Sequence, residues 1–257
     1  MSLNNTTIEW TDFTWNPLTG CLNNCSYCYA RRLANGRLKK RYLENDLVLS
    51  STDSTDPFSP RFWSDRLDDP KRVPKHFRSR NPYLPEGSAM VFTVDMGELF
   101  GPWVPKEWVN KILEVTRQYP QHVFQFLTKF PQTLKNFNFP SNAWVGTTVN
   151  TIDDLIRVNI LAFKCEANLK YLSIEPLLGD ILPEGKNLLP ALKLIDWIIV
   201  GAQTGKGRKK NFPKTEWVQN IIRAAETYQI LIFMKDNLFP FINLMKVQEF
   251  PETEVVQ

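Results

Sequence analysis

The chain has 257 residues, with 43% hydrophobic and 23% charged, enough to bury a core as one domain. This balance excludes a multi-span membrane protein, and the longest apolar runs, Leu194–Val200 and Ile230–Met234, are too short to cross a bilayer. The formal charge of +4, from 31 Lys and Arg against 27 Asp and Glu, permits an anionic partner without requiring one.

The start, Met1-Ser2-Leu3-Asn4-Asn5, lacks the basic and apolar regions of a secretion signal, so a cytoplasmic location is expected. A short strand is expected before Cys21. Residues 31–88 read as a charged, Pro-rich insertion: Asn45–Pro60 has the Ser, Thr, Asp and Pro of a loop, and Asp65–Pro85 carries seven basic side chains among several prolines. That stretch reads first as solvated, with a cover over an anionic ligand as the alternative.

After it, strands and helices alternate. Met90–Val94 reads as a buried strand, and Lys106–Arg117 as a helix with Trp108, Ile112 and Val115 on one face. Val123–Leu127 is the next strand, followed by a short helix near Gln132–Phe137. Ala143–Thr148 precedes a helix over Thr151–Phe163, opened by Thr151 and Asp154 at capping-box spacing. Leu169–Ile174, a short helix around Leu188–Leu192, Trp197–Val200, a loop marked by Gly201, Gly205 and Gly207, a helix over Lys214–Tyr228 and a last strand Ile230–Met234 complete the series. Apolar strands separated by helices imply an α/β fold with parallel strands, either a full or partial (β/α) barrel or a flat doubly wound sheet. One domain, 1–257, is expected, with the insertion inside it.

Three of the four cysteines, Cys21, Cys25 and Cys28, fall within eight residues. Such clustering argues against a disulfide scaffold, while Cys165 stands alone as a buried thiol. Three thiolates on a short loop suit iron, and a [4Fe-4S] cluster held by three ligands leaves one iron open. Zinc is the rival, but it wants a fourth ligand that the neighbourhood lacks. S-adenosylmethionine (SAM) can chelate an open iron and be cleaved by one electron to a 5′-deoxyadenosyl radical, chemistry that belongs to the cofactor.

The spacing Cys21-x-x-x-Cys25-x-x-Cys28, with Tyr27 before the third Cys, resembles the motif of the radical SAM superfamily. The opening Thr7-Ile8-Glu9-Trp10-Thr11-Asp12, then Thr14-Trp15-Asn16-Pro17 and Thr19-Gly20-Cys21, is similar to a phage-associated branch of unknown function. The likeness continues through Phe92–Phe100, Phe124–Pro131, Trp144–Asn150, Leu172–Leu178, Trp197–Gly205 and Phe233-Met234-Lys235. It implies a radical SAM-like, TIM-barrel-like fold with metal ligands Cys21, Cys25 and Cys28.

The same resemblance implies SAM contacts at Gly97 and Glu98 after the strand Met90–Val94, at Thr148 and Asn150, and at Leu177 against adenine. Glu175, Gln203 and Lys235 are the candidate catalytic residues. Gln203 departs from the Glu that similar sequences carry and cannot act as a base. Lys129 and Lys235 both follow strands and could meet a carboxylate or phosphate. The run Lys206-Gly207-Arg208-Lys209-Lys210 is either a solvated turn or a phosphate contact.

The leading expectation is therefore an enzyme that cleaves SAM reductively to act by a radical on an unidentified substrate. It implies a one-electron donor such as flavodoxin or ferredoxin. A non-catalytic iron–sulfur nucleic-acid-binding protein is the alternative, as is a subunit working with a separately encoded partner in a modification or defence complex. No membrane partner is expected.

Overall fold

The computed structural model describes residues 3–183, 190–205 and 211–253. Its centre is an eight-stranded sheet. In chain order the strands are β1 (Asn4–Asn5), β2 (Phe13–Trp15), β5 (Met90–Thr93), β6 (Val123–Thr128), β7 (Ala143–Thr148), β8 (Leu169–Ile174), β9 (Trp197–Val200) and β10 (Leu231–Met234), each paired with its successor. A two-stranded side sheet joins β3 (Leu18–Thr19) to β4 (Arg61–Phe62). Only β1 pairs antiparallel within the large sheet; every other neighbour is parallel. The fold is thus α/β with a mostly parallel sheet, and among the described residues β1 and β10 are its two ends.

Alternation of side chains along the strands builds two cores. Val91, Val145, Leu172, Ile198, Val200, Ile232 and Met234 point to the helices. Their neighbours Met90, Phe92, Trp144, Tyr171, Trp197, Ile199 and Phe233 point the other way, into an aromatic layer completed by Trp10 and Leu84. Parallel strands must be covered on both faces, and the layer away from the helices is the richer in aromatic side chains, although Trp15, Phe124 and Phe126 lie on the helix side.

The helices are α1 (Tyr29–Asn35), α2 (Lys39–Leu43), α3 (Lys106–Gln118), α4 (Leu155–Lys164) and α5 (Thr215–Tyr228). Helix α3 buries Val109, Ile112, Leu113 and Thr116, the spacing of one helical face, and α5 does the same with Val218, Ile221 and Ala225. The expected helix over Thr151–Phe163 begins with a 3-10 turn, Ile152–Asp154, held by a capping box between Thr151 and Asp154. The short helices expected near 132–137 and 188–192 are 3-10 turns at Pro131–Asn136 and Pro190–Leu194. Residues 188 and 189 of the second, and the basic run Lys206–Lys210 with Gly207, lie outside the described residues.

In the charged stretch Asp65–Pro85, Lys71, Arg72, Lys75, His76, Arg78 and Arg80 are exposed, while Arg66, Asp69, Asn81 and Leu84 are buried and anchor it to the rest of the protein. Arg66 is buried, donates to the Asn16 carbonyl and stacks over Trp63, while Trp15 Nε1 donates to the Arg66 carbonyl. Asp12 accepts from Ser79 Oγ, the Arg80 amide and the Met90 amide, tying this stretch to β5. The Arg80 guanidinium donates to the carbonyls of Thr6, Ile8 and Thr11. No helix among the described residues is long and apolar enough to cross a membrane.

Candidate functional site: a polar cleft at the carboxyl ends of the parallel strands

A cavity of about 670 Å³ opens where β5 to β10 end. Parallel strands bring successive loops to one edge, so side chains far apart in sequence meet there. Each strand contributes its last or following residues: Asp95, Gly97 and Glu98 after β5, Thr128 and Lys129 at β6, Thr148 at β7, Ser173 and Glu175 at β8, Gln203 after β9, and Lys235 and Asn237 after β10. Cys21, Cys25, Tyr27 and Cys28 close one side and Trp10 another.

Two glycines let the sulfur loop reach β5. Gly20 adopts φ +91°, and a Cβ there would sit 2.4 Å from the Ser59 carbonyl oxygen. Gly97 lies beside it in a parallel bridge, where a Cβ would be 2.8 Å from the Gly20 oxygen. Between strand and loop, Val94 holds φ +69°, costly for a β-branched residue, while its amide donates to the Trp15 carbonyl at 2.8 Å.

Glu98 is buried, yet its carboxylate is met by neutral donors: Thr128 Oγ1 at 2.6 Å, the Lys129 amide at 3.0 Å and the Phe100 amide at 3.1 Å. Burial raises its pKa and these donors oppose the shift. Asp95, also raised by burial, accepts from Asn16 Nδ2 and Tyr29 OH.

The two lysines are held in contrasting ways. Lys235 Nζ lies 2.7 Å from Glu175 Oε1, with both side chains only 16% exposed. The other carboxylate oxygen, Oε2, accepts from Trp10 Nε1 at 2.9 Å. Burial alone would depress the Lys235 pKa, but the charge of Glu175, the hydrogen bond to it and the charge of Glu9 together raise it. Lys129 Nζ instead donates to Tyr27 OH at 2.9 Å and Asn150 Oδ1 at 2.8 Å. No carboxylate lies within ion-pair distance of it among the described residues, and burial depresses its pKa.

Of the residues expected from sequence, Gly97, Glu98, Thr148, Glu175, Gln203 and Lys235 line this one cavity. Asn150 stands behind Lys129, buried, with its amide nitrogen donating to the Pro176 carbonyl at 2.8 Å. Leu177 is fully buried in the helix-side core and does not line the cavity. Trp10 and Tyr27 emerge here as the partners of Glu175 and Lys129, for which the sequence carries no signal beyond the polar tip on each ring.

The iron–sulfur expectation is corrected. Among the described residues, no group of three or more His, Cys, Asp or Glu is arranged to hold a metal ion. The sulfurs serve local ends instead. Cys21 Sγ accepts from the Asn23 amide at 3.2 Å, and its thiol is pushed up to about 12, first by burial and then by the charge of Glu98. Cys28 Sγ caps α1 by accepting from the Arg31 amide at 3.3 Å. With the donor set go the [4Fe-4S] cluster, the SAM chelated to it, the radical-forming enzyme, the iron–sulfur nucleic-acid-binding alternative and the assignment to the radical SAM superfamily. The expectation of a flavodoxin or ferredoxin donor rests on that cluster alone. The fourth cysteine, Cys165, is buried, its thiol likewise pushed up to about 12 by burial.

Fold and cleft together define a mostly parallel α/β protein whose polar side chains converge at the strand carboxyl ends. The chain belongs to the family described as "Protein of unknown function (DUF5131)", whose model matches residues 5–239. No curated protein matches it. In fold it is similar to a spore photoproduct lyase mutant solved with bound AdoMet and dinucleoside spore photoproduct, at 11% identity and a TM-score of 0.54, over 90% of this chain and 78% of that one. A second structure of a spore photoproduct lyase mutant matches at 11% identity and a TM-score of 0.48, covering 91% of this chain, which spans 58% of that one's length. The likeness is distant and concerns the fold, which resembles the radical-SAM type.

Proposed function

We propose that this protein binds a small polar molecule carrying a carboxylate or phosphate, seated in the cleft with its anionic group on Lys129. The observation that carries the reading is the Lys129 ammonium, half-buried at the cavity wall, oriented by Tyr27 OH and Asn150 Oδ1, and without a carboxylate partner among the described residues. A cation partly withdrawn from water gains from a partner, and an anionic ligand would supply the missing charge. The cavity of about 670 Å³ falls in the range of small-molecule sites and combines ring walls with a few convergent polar groups.

In this reading the sheet curls into a partial barrel around its aromatic face. What supports the curl is Trp10, whose ring lies 4.8 Å from that of Phe92 on β5 and 6.4 Å from that of Trp197 on β9. Those strands are four steps apart, about 19 Å in a flat sheet. The curl draws Glu175 and Lys235 towards Lys129 and gives the cleft its depth.

Isothermal titration with adenosine monophosphate, citrate and inorganic phosphate tests the reading. At least one should bind, and Lys129→Met should weaken it about thirtyfold, the worth of a charge-assisted hydrogen bond. Absence of binding by all three, or an unchanged affinity in Lys129→Met, would contradict it.

A further inference from the structure

Directly after the sulfur loop the sequence runs Arg31-Arg32-Leu33-Ala34-Asn35-Gly36-Arg37-Leu38-Lys39-Lys40-Arg41, six cations and no acid in eleven residues. Ala30, Ala34 and Tyr42 anchor this segment to the protein, and Arg32, Arg37, Lys39 and Lys40 face solvent. Arg31 is drawn back to Asp56 at 3.4 Å and to the Cys21 carbonyl. Among the described residues, Arg32, Arg37, Lys39 and Lys40 have no carboxylate within ion-pair distance. The next acids, Glu44 and Asp46, come only after the strip ends.

We infer that this strip is a docking surface for single-stranded nucleic acid, its backbone phosphates lying along Arg32, Arg37, Lys39 and Lys40. Three features select that partner. The cations are clustered and unbalanced, the footprint of a polyanion rather than of a single small ligand. The strip begins at the cavity mouth, which Arg37 lines together with Tyr27 and Tyr29, the latter 42% exposed, so flat rings stand beside the cations as base-stacking platforms. The helices span only seven and five residues, and their exposed large apolar side chains are two, Tyr29 and Leu43 at opposite ends of the segment, too few to form the apolar face of a lipid-binding helix. The inference stands on residues other than Lys129 and does not need the small-anion reading.

Fluorescence anisotropy with a labelled oligothymidylate of about twelve nucleotides, measured on the full chain, tests it. Binding should weaken as salt rises. The exposed triple variant Arg37→Gln, Lys39→Gln, Lys40→Gln should bind at least about tenfold more weakly, with a log–log salt slope shallower by about 2. A control triple of the same charge change elsewhere, Lys106→Gln, Lys164→Gln, Lys193→Gln, should stay within about threefold of wild type. Equal losses in the two triples would reduce the effect to net charge and overturn the inference. So would no oligonucleotide binding, or binding by phosphatidylserine vesicles in place of the oligonucleotide. Thermal unfolding of both triples alongside the binding confirms that a loss of affinity is not a loss of fold.

Discussion

Lys129 and Lys235 occupy matching stations, each one residue beyond the end of a parallel strand, β6 and β10, and both line the same cavity. Their surroundings set them apart. Lys235 meets a carboxylate that is itself fixed by an indole, so its charge is consumed within the protein. Lys129 meets a phenol and an amide oxygen, which orient the ammonium without neutralising it. The same residue type at the same place in the fold thus becomes a structural brace on one side of the cleft and an available charge on the other.

The comparison breaks most visibly in stability. Lys235→Met leaves Glu175 largely buried beside Trp10 and should cost about 2–3 kcal/mol in chemical denaturation, discounted from a fully buried pair because both side chains retain some exposure. Lys129→Met leaves two neutral acceptors and removes a charge that lies beyond ion-pair distance of Glu98, whose carboxylate keeps its three neutral donors, so it should change stability by about 1 kcal/mol or less while removing anion binding. A stability loss in Lys129→Met equal to that of Lys235→Met would erase the distinction.

Asn150→Asp sharpens it by giving Lys129 a carboxylate at the position Asn150 Oδ1 now holds. Anion affinity should fall about tenfold with the lysine still present, measured by titration calorimetry. The variant also loses the donor to the Pro176 carbonyl, so its unfolding should be followed in parallel.

The smallest effect is on pH dependence. An anion needs the ammonium form, so binding is complete below the Lys129 pKa and lost as pH rises through it. Because burial depresses that pKa, the loss should set in at lower pH than an ordinary lysine would give. Lys235, raised by Glu175, should stay charged beyond that point. Affinity measured at stepped alkaline pH that follows an unshifted lysine would contradict the burial of Lys129.

Much of the fold was legible because its signals are local. The runs Ala143–Thr148, Leu169–Ile174 and Trp197–Val200 are strands with those bounds, since short apolar runs between turn residues leave few alternatives. Sheet closure is not a local property, and nothing in the strand pattern encoded the place of Trp10. The loop Cys21–Cys28 misled for a related reason: spacing says which sulfurs can approach one another, not whether they turn together or are spent on the Asn23 and Arg31 amides. Lys129 and Lys235 were equally visible as lysines after strands. Their difference depends on Tyr27, 102 residues from Lys129, and on Glu175, whose pairing no periodicity announces. The basic run Arg31–Arg41 is readable in the sequence, but its freedom from carboxylate partners among the described residues at Arg32, Arg37, Lys39 and Lys40 is a property of the fold.

The central claim is that Lys129 alone of the two offers its charge to a ligand. Nuclear magnetic resonance of lysine side chains labelled at Nζ, with the two signals assigned through Lys129→Met and Lys235→Met, reads this directly during titration with adenosine monophosphate. The Lys129 signal should shift in a saturable way while that of Lys235 stays in place; a shift confined to Lys235, or equal shifts in both, would contradict the account.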